Sequence, residues 1–314
     1  MSSMFDWFKR SGHDLGLTAI GLQADGVSLA RVERQGQGRP RLTACHFMPY
    51  ESDDRSKQIA RIASQYHLKH TRCTTVLDGS HYQLLLTEAP DVKPDELKAA
   101  IRWRIKDLIG FHINDATLDV FDVPSVEGAG RLREMYVVAA QNRAVQERVD
   151  LMDGAGVNLQ VIDIPEMAQR NIAALLPADE KGVVMLSFQR NGGLLTLTRA
   201  GELFLSRPLN VGLDMLQRQE QQAGYFDHVV LEVQRSLDYY ESHFRQAPIR
   251  DLVLAPAPGE IPGLIEHLGA NLNVQISVLD FAMLMDSDVE LPTGLQSSCL
   301  ATIGAALRQE VKAL

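Results

Sequence analysis

The sequence has few cysteines, no excess of positive charge and no long apolar run. Its 314 residues contain three scattered cysteines, Cys45, Cys73 and Cys299, which argues against a disulfide framework or zinc ribbon and favours a reducing cytosol. Lys and Arg number 31 against 40 Asp and Glu, a formal net charge of −9, so we expect no general affinity for nucleic acid. The apolar runs are far shorter than the roughly 20 residues of a membrane-spanning helix, so no span is expected.

Signatures of common catalytic sites are also missing. The sequence contains no P-loop, GxSxG, HExxH or EF-hand pattern. The nucleotide, hydrolase, zinc and calcium sites that these motifs form are therefore not expected. Ser80 and His81 are neighbours in a predicted strand, where adjacent side chains point to opposite faces, so they are not expected to form a nucleophile–base pair. His67 and His70 straddle a predicted helix end without a nearby carboxylate or cysteine, which favours solvated histidines over a metal site.

The N-terminal tail, residues 1–14, begins MSSMFDWFKR. It has aromatic and basic side chains but no apolar core of the kind found in signal peptides. We expect it to pack on its own domain, and contact with a membrane surface is the alternative.

Two segments of the chain open with the same order of predicted elements, and the length suggests about two domains. Each has three strands and a helix, at residues 15–23, 27–34, 41–47 and 54–68, and at residues 182–188, 194–199, 202–208 and 213–223. The match lies in the order of elements, about 165 residues apart, and it predicts a duplicated α/β protein.

A separate module lies between the two openings. It has a well-signalled helix at residues 94–108, strands at 117–123 and 134–139 around a Gly-rich loop at 125–130, and a helix at 142–152. We predict a first half at residues 15–176 that contains this inserted α/β subdomain at about 72–161, and a second half at 177–314. The second half holds a long helix at 227–244 and ends in a helix at 298–314.

Basic residues surround Trp103 on the inserted module's helix, namely Arg102, Arg104 and Lys106. Such a cluster is typical of a solvated helix face with one amphipathic Trp, and contact with a protein partner is the alternative. Nucleic acid is the least favoured partner.

The two openings, the insert, and the strings EVQRSLDYY (residues 232–240) and LVLAPAPGEIPGL (residues 252–264) resemble one family together. They are similar to PilM-like proteins, the actin-like cytoplasmic proteins of type IV pilus assembly, from about residue 15 to residue 314. The resemblance implies a duplicated actin/RNase H-like fold of the FtsA and PilM type with an inserted subdomain.

PilM-like and FtsA-like proteins bind ATP through three loops, and all three differ here. The first loop reads GLDIGxxxVK in the family. In this sequence Gln23 replaces the Asp, Asp25 replaces the loop Gly and is followed by Gly26, and Ala30 replaces the Lys. The second reads VVDIG, and Ser187 and Gln189 stand at its Asp and Gly. The third carries Gly-Gly after a strand, and Pro256 and Ala257 stand there.

These replacements bear directly on phosphate chemistry. Mg²⁺ on a nucleotide usually needs carboxylate ligands, Pro256 lacks an N–H donor, and Asp25 brings negative charge to a phosphate position. The resemblance therefore implies no ATP hydrolysis, no required cofactor and no metal. Residual ATP contact through Arg190, Asn191, Gly192 and Gly193 is the alternative, in which the chain is a nucleotide-binding switch. A sugar-kinase-like enzyme is not expected.

The resemblance also implies a partner. PilM-like proteins hold the cytoplasmic N-terminal tail of a PilN-like bitopic inner-membrane protein, which connects them to a PilO-like subunit. We therefore expect a cytoplasmic scaffold for a type IV or mannose-sensitive haemagglutinin (MSHA) pilus, bound to the inner membrane through partners. The residues expected to meet the tail lie on or near the insert: Leu97, Ile101, Trp103, Ile105 and Phe111.

Overall fold

The computed structural model describes residues 16–34, 38–51, 55–124 and 133–309. The predictions for the tail at residues 1–14 and for the Gly-rich loop at 125–130 lie outside these ranges.

The described chain alternates strands and helices. The strands are β1 (Leu17–Leu22), β2 (Gly26–Glu33), β3 (Arg41–Pro49), β4 (Cys73–Val76), β5 (Tyr82–Glu88), β6 (Ala116–Asp122), β7 (Glu134–Gln141), β8 (Leu159–Asp163), β9 (Val183–Phe188), β10 (Gly193–Arg199), β11 (Glu202–Leu209), β12 (Asp251–Leu254), β13 (Gln275–Val278) and β14 (Asp286–Ser287). The α-helices are α1 (Arg55–Gln65), α2 (Pro94–Ile105), α3 (Asn142–Gly154), α4 (Pro165–Ala173), α5 (Leu213–Leu216), α6 (Gln222–Phe244), α7 (Leu264–Asn271), α8 (Phe281–Leu284) and α9 (Thr293–Ala306).

Two sheets repeat one topology. The first has the order β14-β3-β2-β1-β4-β8 and the second the order β11-β10-β9-β12-β13. In both, the first three strands in sequence are antiparallel and the later two run parallel to the first. The observed architecture confirms the predicted duplicated α/β fold of actin-like type.

The inserted module has a sheet of its own, with the order β5-β7-β6. Helix α2 covers one face of it through Ile101 and Ile105, and Tyr136 on the other face joins the core of the second half. The strands near the predicted ends of the insert, β4 and β8, pair with each other in the first sheet. The insert therefore occupies the β4–β8 connection, and the part with a separate sheet is residues 82–141.

The predicted halves meet at residues 176 and 177, and elements of each half pack against the sheet of the other. Strand β14 pairs with β3, and α9 packs on β1, β2 and β3 of the first sheet. Helix α4 packs in turn on β9, β10 and β11. The division by residue number stays a prediction, and the contacts show that both halves share their central helices.

Some predicted elements have different bounds. The helix predicted at residues 213–223 is wrong, because α5 ends at Leu216 and α6 begins at Gln222. The polar run between them offers no apolar side chain to continue a buried stripe. The last helix begins at Thr293, five residues earlier than predicted. Helix α8 and β14 were not predicted, because elements of four and two residues are too short to carry a periodic pattern.

Candidate functional site

The turn between β1 and β2 carries the first set of replaced residues. Its backbone closes where the Gln23 N–H donates to the Gly26 carbonyl at 2.9 Å. Gly26 allows this close fit, since a Cβ there would lie 2.6 Å from the Met48 carbonyl oxygen. Asp25 is exposed at the tip, where its charge would repel a phosphate.

The Gln23 side chain is bonded inside the protein. Its amide Nε2 donates to the Ser298 carbonyl of α9 at 2.5 Å and to the Ser28 hydroxyl at 3.2 Å. Ser28 Oγ lies 2.5 Å from Thr302 Oγ1, also on α9. Ala30, at the position of the family's Lys, is fully buried. The residues of the first loop thus fasten the first sheet to α9.

Ser187 occupies the carboxylate position of the second sheet, and it too bonds to a central helix. Its hydroxyl donates to Gln169 Oε1 on α4 at 2.8 Å. Gln169 Nε2 donates to the Met185 carbonyl and to Thr196 Oγ1, both at 2.8 Å. All three polar side chains are buried, so this network fastens the second sheet to α4.

The turn after β9 is closed by its own backbone and capped by α5. Gln189 N donates to the Gly192 carbonyl at 2.8 Å, and the Gln189 carbonyl accepts from Leu213 N at 2.9 Å. Arg190 and Asn191 are exposed there. A Cβ on Gly193 would lie 2.8 Å from the Phe188 ring. The turn is compact, and its possible contact with a nucleotide stays a prediction.

The third loop follows β12 at the same edge of the second sheet. Ala255 N donates to the Leu186 carbonyl at 2.7 Å, which continues the pairing of β12 with β9. Pro256 is buried and Ala257 packs against the core of the second half. A proline offers no N–H to an adenosine or a phosphate.

The two central helices touch directly, so the networks from the two sheets are joined. A Cβ on Gly304 of α9 would lie 2.2 Å from the Ala168 carbonyl of α4, and Asn171 Nδ2 donates to the Gly304 carbonyl at 2.9 Å. Just beyond α9, Arg308 Nη1 pairs with Asp163 Oδ2 at 3.1 Å. Burial raises the pKa of Asp163, and the Arg308 charge opposes that shift.

The residues of these three loops do not fit the Mg–nucleotide that an actin-like fold implies. Both expected carboxylate positions carry neutral side chains, and the polar atoms of Gln23 and Ser187 are engaged by protein groups. Over the described ranges no group of three His, Cys, Asp or Glu side chains could hold a metal ion. The arrangement supplies hydrogen bonds that hold helices and sheets together.

The residues predicted to meet a partner divide into core and surface. Ile101 and Ile105 are 1% and 0% exposed, and Leu97 and Phe111 pack against the same cluster. The inserted sheet covers Ile101 and Ile105, and contact of this set of residues with a partner stays a prediction. Trp103 is 73% exposed, and the Lys106 ammonium lies 3.5 Å from the centre of its ring.

Sequence reasoning missed the polar residues through which the central helices bond to the sheets and to each other. These are Gln169 and Asn171 on α4 and Thr302 on α9. Their signal was available, because a polar residue on the buried face of an otherwise apolar helix needs a partner. Among the residues described, no helix has both the length and the hydropathy needed to cross a bilayer.

Known proteins share the fold of this chain. The chain aligns over 93% of its length with 98% of a solved chain of the "PilM-PilN type IV pilus biogenesis complex", with a TM-score of 0.71 at 18% identity, which shows the fold. The cytoplasmic domain of EpsL, an inner-membrane component of the type II secretion system of Vibrio cholerae, gives a TM-score of 0.49 at 11% identity over 91% of this chain and 94% of its own. No curated protein matches the chain in sequence. The model of the family described as type IV pilus assembly protein PilM matches residues 56–223, just over half of the chain. The chain belongs to the PilM family.

Proposed function

We propose that this chain is a non-catalytic scaffold of the inner-membrane platform that assembles a pilus, and that it holds the cytoplasmic tail of a PilN-like protein. The observation that carries the loss of catalysis is the bonding of Gln23 and Ser187 to α9 and α4. Within the family, the quoted strings resemble MshI most, so we assign the chain to an MSHA-type pilus. Its place is the cytoplasmic face of the inner membrane.

The internal bonds weigh against the alternative of a nucleotide switch. To contact Mg²⁺ through Gln23 and Ser187, a nucleotide would have to break the Gln23–Ser298 and Ser187–Gln169 bonds, and it would receive no carboxylate ligand in return. Buried polar atoms that lose their partners cost about 1–3 kcal/mol each. The exposed Arg190 and Asn191 keep the switch worth testing, because a cation at a turn can attract phosphate.

The nucleotide test is a melting titration with Mg-ATP and, in parallel, with Mg-free ATP. A ligand that binds only the folded state raises its stability by about 2.7 kcal/mol at a hundred times its Kd. We expect no shift in the melting temperature at millimolar Mg-ATP. A saturable shift that needs Mg²⁺, and that Arg190→Ala reduces, would replace the scaffold with the switch.

The partner test is a crosslinked pull-down from inner membranes with the full chain as bait. The solved complex that this fold matches is one of PilM with PilN, which supports a PilN-like partner. We expect capture of a PilN-like protein, with a PilO-like subunit carried along, and loss of both when the PilN-like cytoplasmic tail is deleted. Retention of the complex after tail deletion would refute the tail as the contact.

The same strains test the localisation. A chain with net charge −9 gains little from anionic lipid, so its membrane association should depend on the partner. We expect it in the membrane fraction of cells that contain the PilN-like protein, and in the soluble fraction when that protein is absent. Membrane binding that persists without the partner would point to the N-terminal tail instead.

A further inference from the structure

The second sheet ends in a strand that carries no charge. Strand β13 lies at one edge of this sheet, beyond β12. Residues 271–279, which include β13, read NLNVQISVL and contain neither a charged side chain nor a proline. Charge and proline are two devices that keep an exposed edge from pairing with another strand. At the opposite edge of the sheet, the inserted module lies against β11, where the Tyr136 hydroxyl bonds to the backbone of Phe204 and Ser206.

The register of β13 tells which of its backbone groups point outwards. Gln275 N and Leu279 N donate to carbonyls of the neighbouring β12 segment at 2.6 and 2.8 Å. In a parallel pair, every second residue bonds to the neighbouring strand. The N–H and C=O groups of Ile276 and Val278 therefore point away from β12. In the described part of the chain, no group hydrogen-bonds them.

The side chains along this edge are open to solvent on both faces of the sheet. On one face, Val278 is 54% exposed, while Ile276 packs partly against the core of the second half. On the other face, Gln275 and Ser277 are exposed. A strand added beside β13 would cover an apolar side chain and bond to free backbone groups.

Two opposite charges flank the neutral run on the face that carries Val278. Asp251 is opposite Gln275 in the register of β12 and β13, so Arg250 precedes β12 on the opposite face, which is the face of Val278. Asp280 lies two residues after Val278 and extends the same face. Both charged residues are exposed, and among the described residues Arg250 has no ion pair.

The edge is complementary to itself in an antiparallel arrangement. When a twofold axis passes at Ser277, Ile276 of one copy lies opposite Val278 of the other, and each such pair exchanges N–H···O bonds in both directions. Directly opposite side chains in an antiparallel pair share a face. Ile276 of each copy therefore covers the exposed Val278 of the other.

The same register brings the flanking charges together. It sets Asp280 of one copy opposite Val274 of the other, which is beside Arg250 in the sheet. The Cα atoms of Arg250 and of Asp280 in the other copy are then two strand spacings apart, about 10 Å, and their side chains lie on the same face. An arginine and an aspartate span this distance, so the symmetric pair gains this ionic contact twice.

We propose that the outer edge of β13 binds a second copy of this chain, by antiparallel pairing of the two β13 strands about Ser277. A second copy is favoured because the register joins opposite charges in a chain whose net charge of −9 otherwise repels its copies. Since β13 has four residues, the contact belongs with the weak interfaces below about 1,200 Å². It is independent of the proposed function, because it uses neither the three loops nor the insert.

Sedimentation of the full chain over a hundredfold range of concentration tests for the dimer. We expect a reversible equilibrium between monomer and dimer, which Val278→Lys weakens at least tenfold. The matched control is Leu231→Lys on α6, where the side chain is 44% exposed, and it should leave the equilibrium unchanged. A monomer at every concentration would overturn the proposal, and so would equal weakening by the two variants.

An exchange of charges separates the contact from damage to the fold. Arg250→Glu and Asp280→Lys should each weaken self-association about tenfold, because each brings like charges together in the symmetric pair. An equimolar mixture of the two variants should regain the dimer, since the mixed pair has opposite charges at both contacts. Two misfolded proteins would not restore each other, and a mixture that stays monomeric would refute this register.

Cysteine crosslinking gives a second test of the register. Ser277→Cys sets two thiols opposite each other with Cα atoms about 4.5 Å apart, within the range of a disulfide. Gln275→Cys lies on the same face but opposite Leu279 of the other copy. With oxidised glutathione we expect a covalent dimer of Ser277→Cys alone, because the native cysteines are buried. Equal crosslinking of both variants would overturn the pairing about Ser277.

Hydrogen exchange identifies any other occupant of the edge. The amides of Ile276 and Val278 should exchange more slowly as the protein concentration rises, and at a fixed rate in Val278→Lys. Slow exchange at every concentration would contradict the proposal. If that slow exchange were lost on deletion of residues 1–15, the edge would belong to this chain's own N-terminus.

Discussion

Gly304→Ala should loosen the joint between the two halves. The added methyl would lie 2.2 Å from the Ala168 carbonyl oxygen, so α4 and α9 must move apart. Overpacking of this kind costs about 1–3 kcal/mol, and a weakened Asn171–Gly304 hydrogen bond costs about 1 kcal/mol more. The better helix propensity of alanine returns about 1 kcal/mol. We expect a net loss of about 2 kcal/mol in the free energy of unfolding.

The measurement is urea denaturation followed by circular dichroism, supported by melting. A loss of this size lowers the melting temperature by roughly 3 °C in a chain of this length. The matched control is Gly294→Ala in the same helix, where an added Cβ meets no atom within 4 Å, so its stability should stay equal or rise by up to about 1 kcal/mol. Equal stability of the Gly304→Ala protein and the wild type would refute a tight α4–α9 contact.

Three further predictions address other parts of the chain. Glu166 accepts from the Tyr82 hydroxyl at 2.6 Å, and burial raises the pKa of Glu166 above the usual 4.5. The folded state therefore holds this proton more tightly than the unfolded state, and the wild type loses that stabilisation as the pH rises above the usual value, so the stability of Glu166→Gln relative to wild type should increase with pH over that range. Equal stability differences at all pH values would contradict this. Ile101→Ala should cost about 2–4 kcal/mol in urea denaturation, because the side chain is 1% exposed, and Trp103→Ala should stay within about 0.5 kcal/mol; the opposite ranking would overturn the core assignment. Tyr136→Phe should cost about 1 kcal/mol, since its hydroxyl accepts from the backbone of the second half at 3.2 Å, and an unchanged unfolding curve would show that this bond contributes nothing.

Periodicity recovered most elements, and it failed where an element is short or interrupted. The spacing of apolar residues predicted a helix at 227–244, and α6 spans Gln222–Phe244. The agreement is good because a long buried face leaves a clear 3.6-residue pattern. Periodicity gave no sign of β14, whose two residues pair with β3 from the far end of the chain. Nor could it show that β4 and β8 belong to the first sheet, since pairing partners distant in sequence leave no local pattern.

The candidate site divides in a similar way. The resemblance identified Gln23 and Ser187 as the positions where carboxylates are missing, and that is a statement about residue type alone. Only the structure placed Ser298 and Gln169 against them. It also separated the exposed Trp103 from the buried Ile101, which were both expected to meet the partner.

The sequence by itself determined the class of the protein: the acidic charge, the duplicated order of strands and helices, and the neutral residues in the phosphate loops are all local properties. The tertiary structure decided what those residues do. Which polar atoms are bonded, which apolar side chains are covered and which strand edge stays open depend on contacts between segments far apart in the chain. The hydrogen bond between Gln23 and Ser298 spans 275 positions. Strand β13 is an edge strand because, among the described residues, β12 is its one neighbour in the sheet.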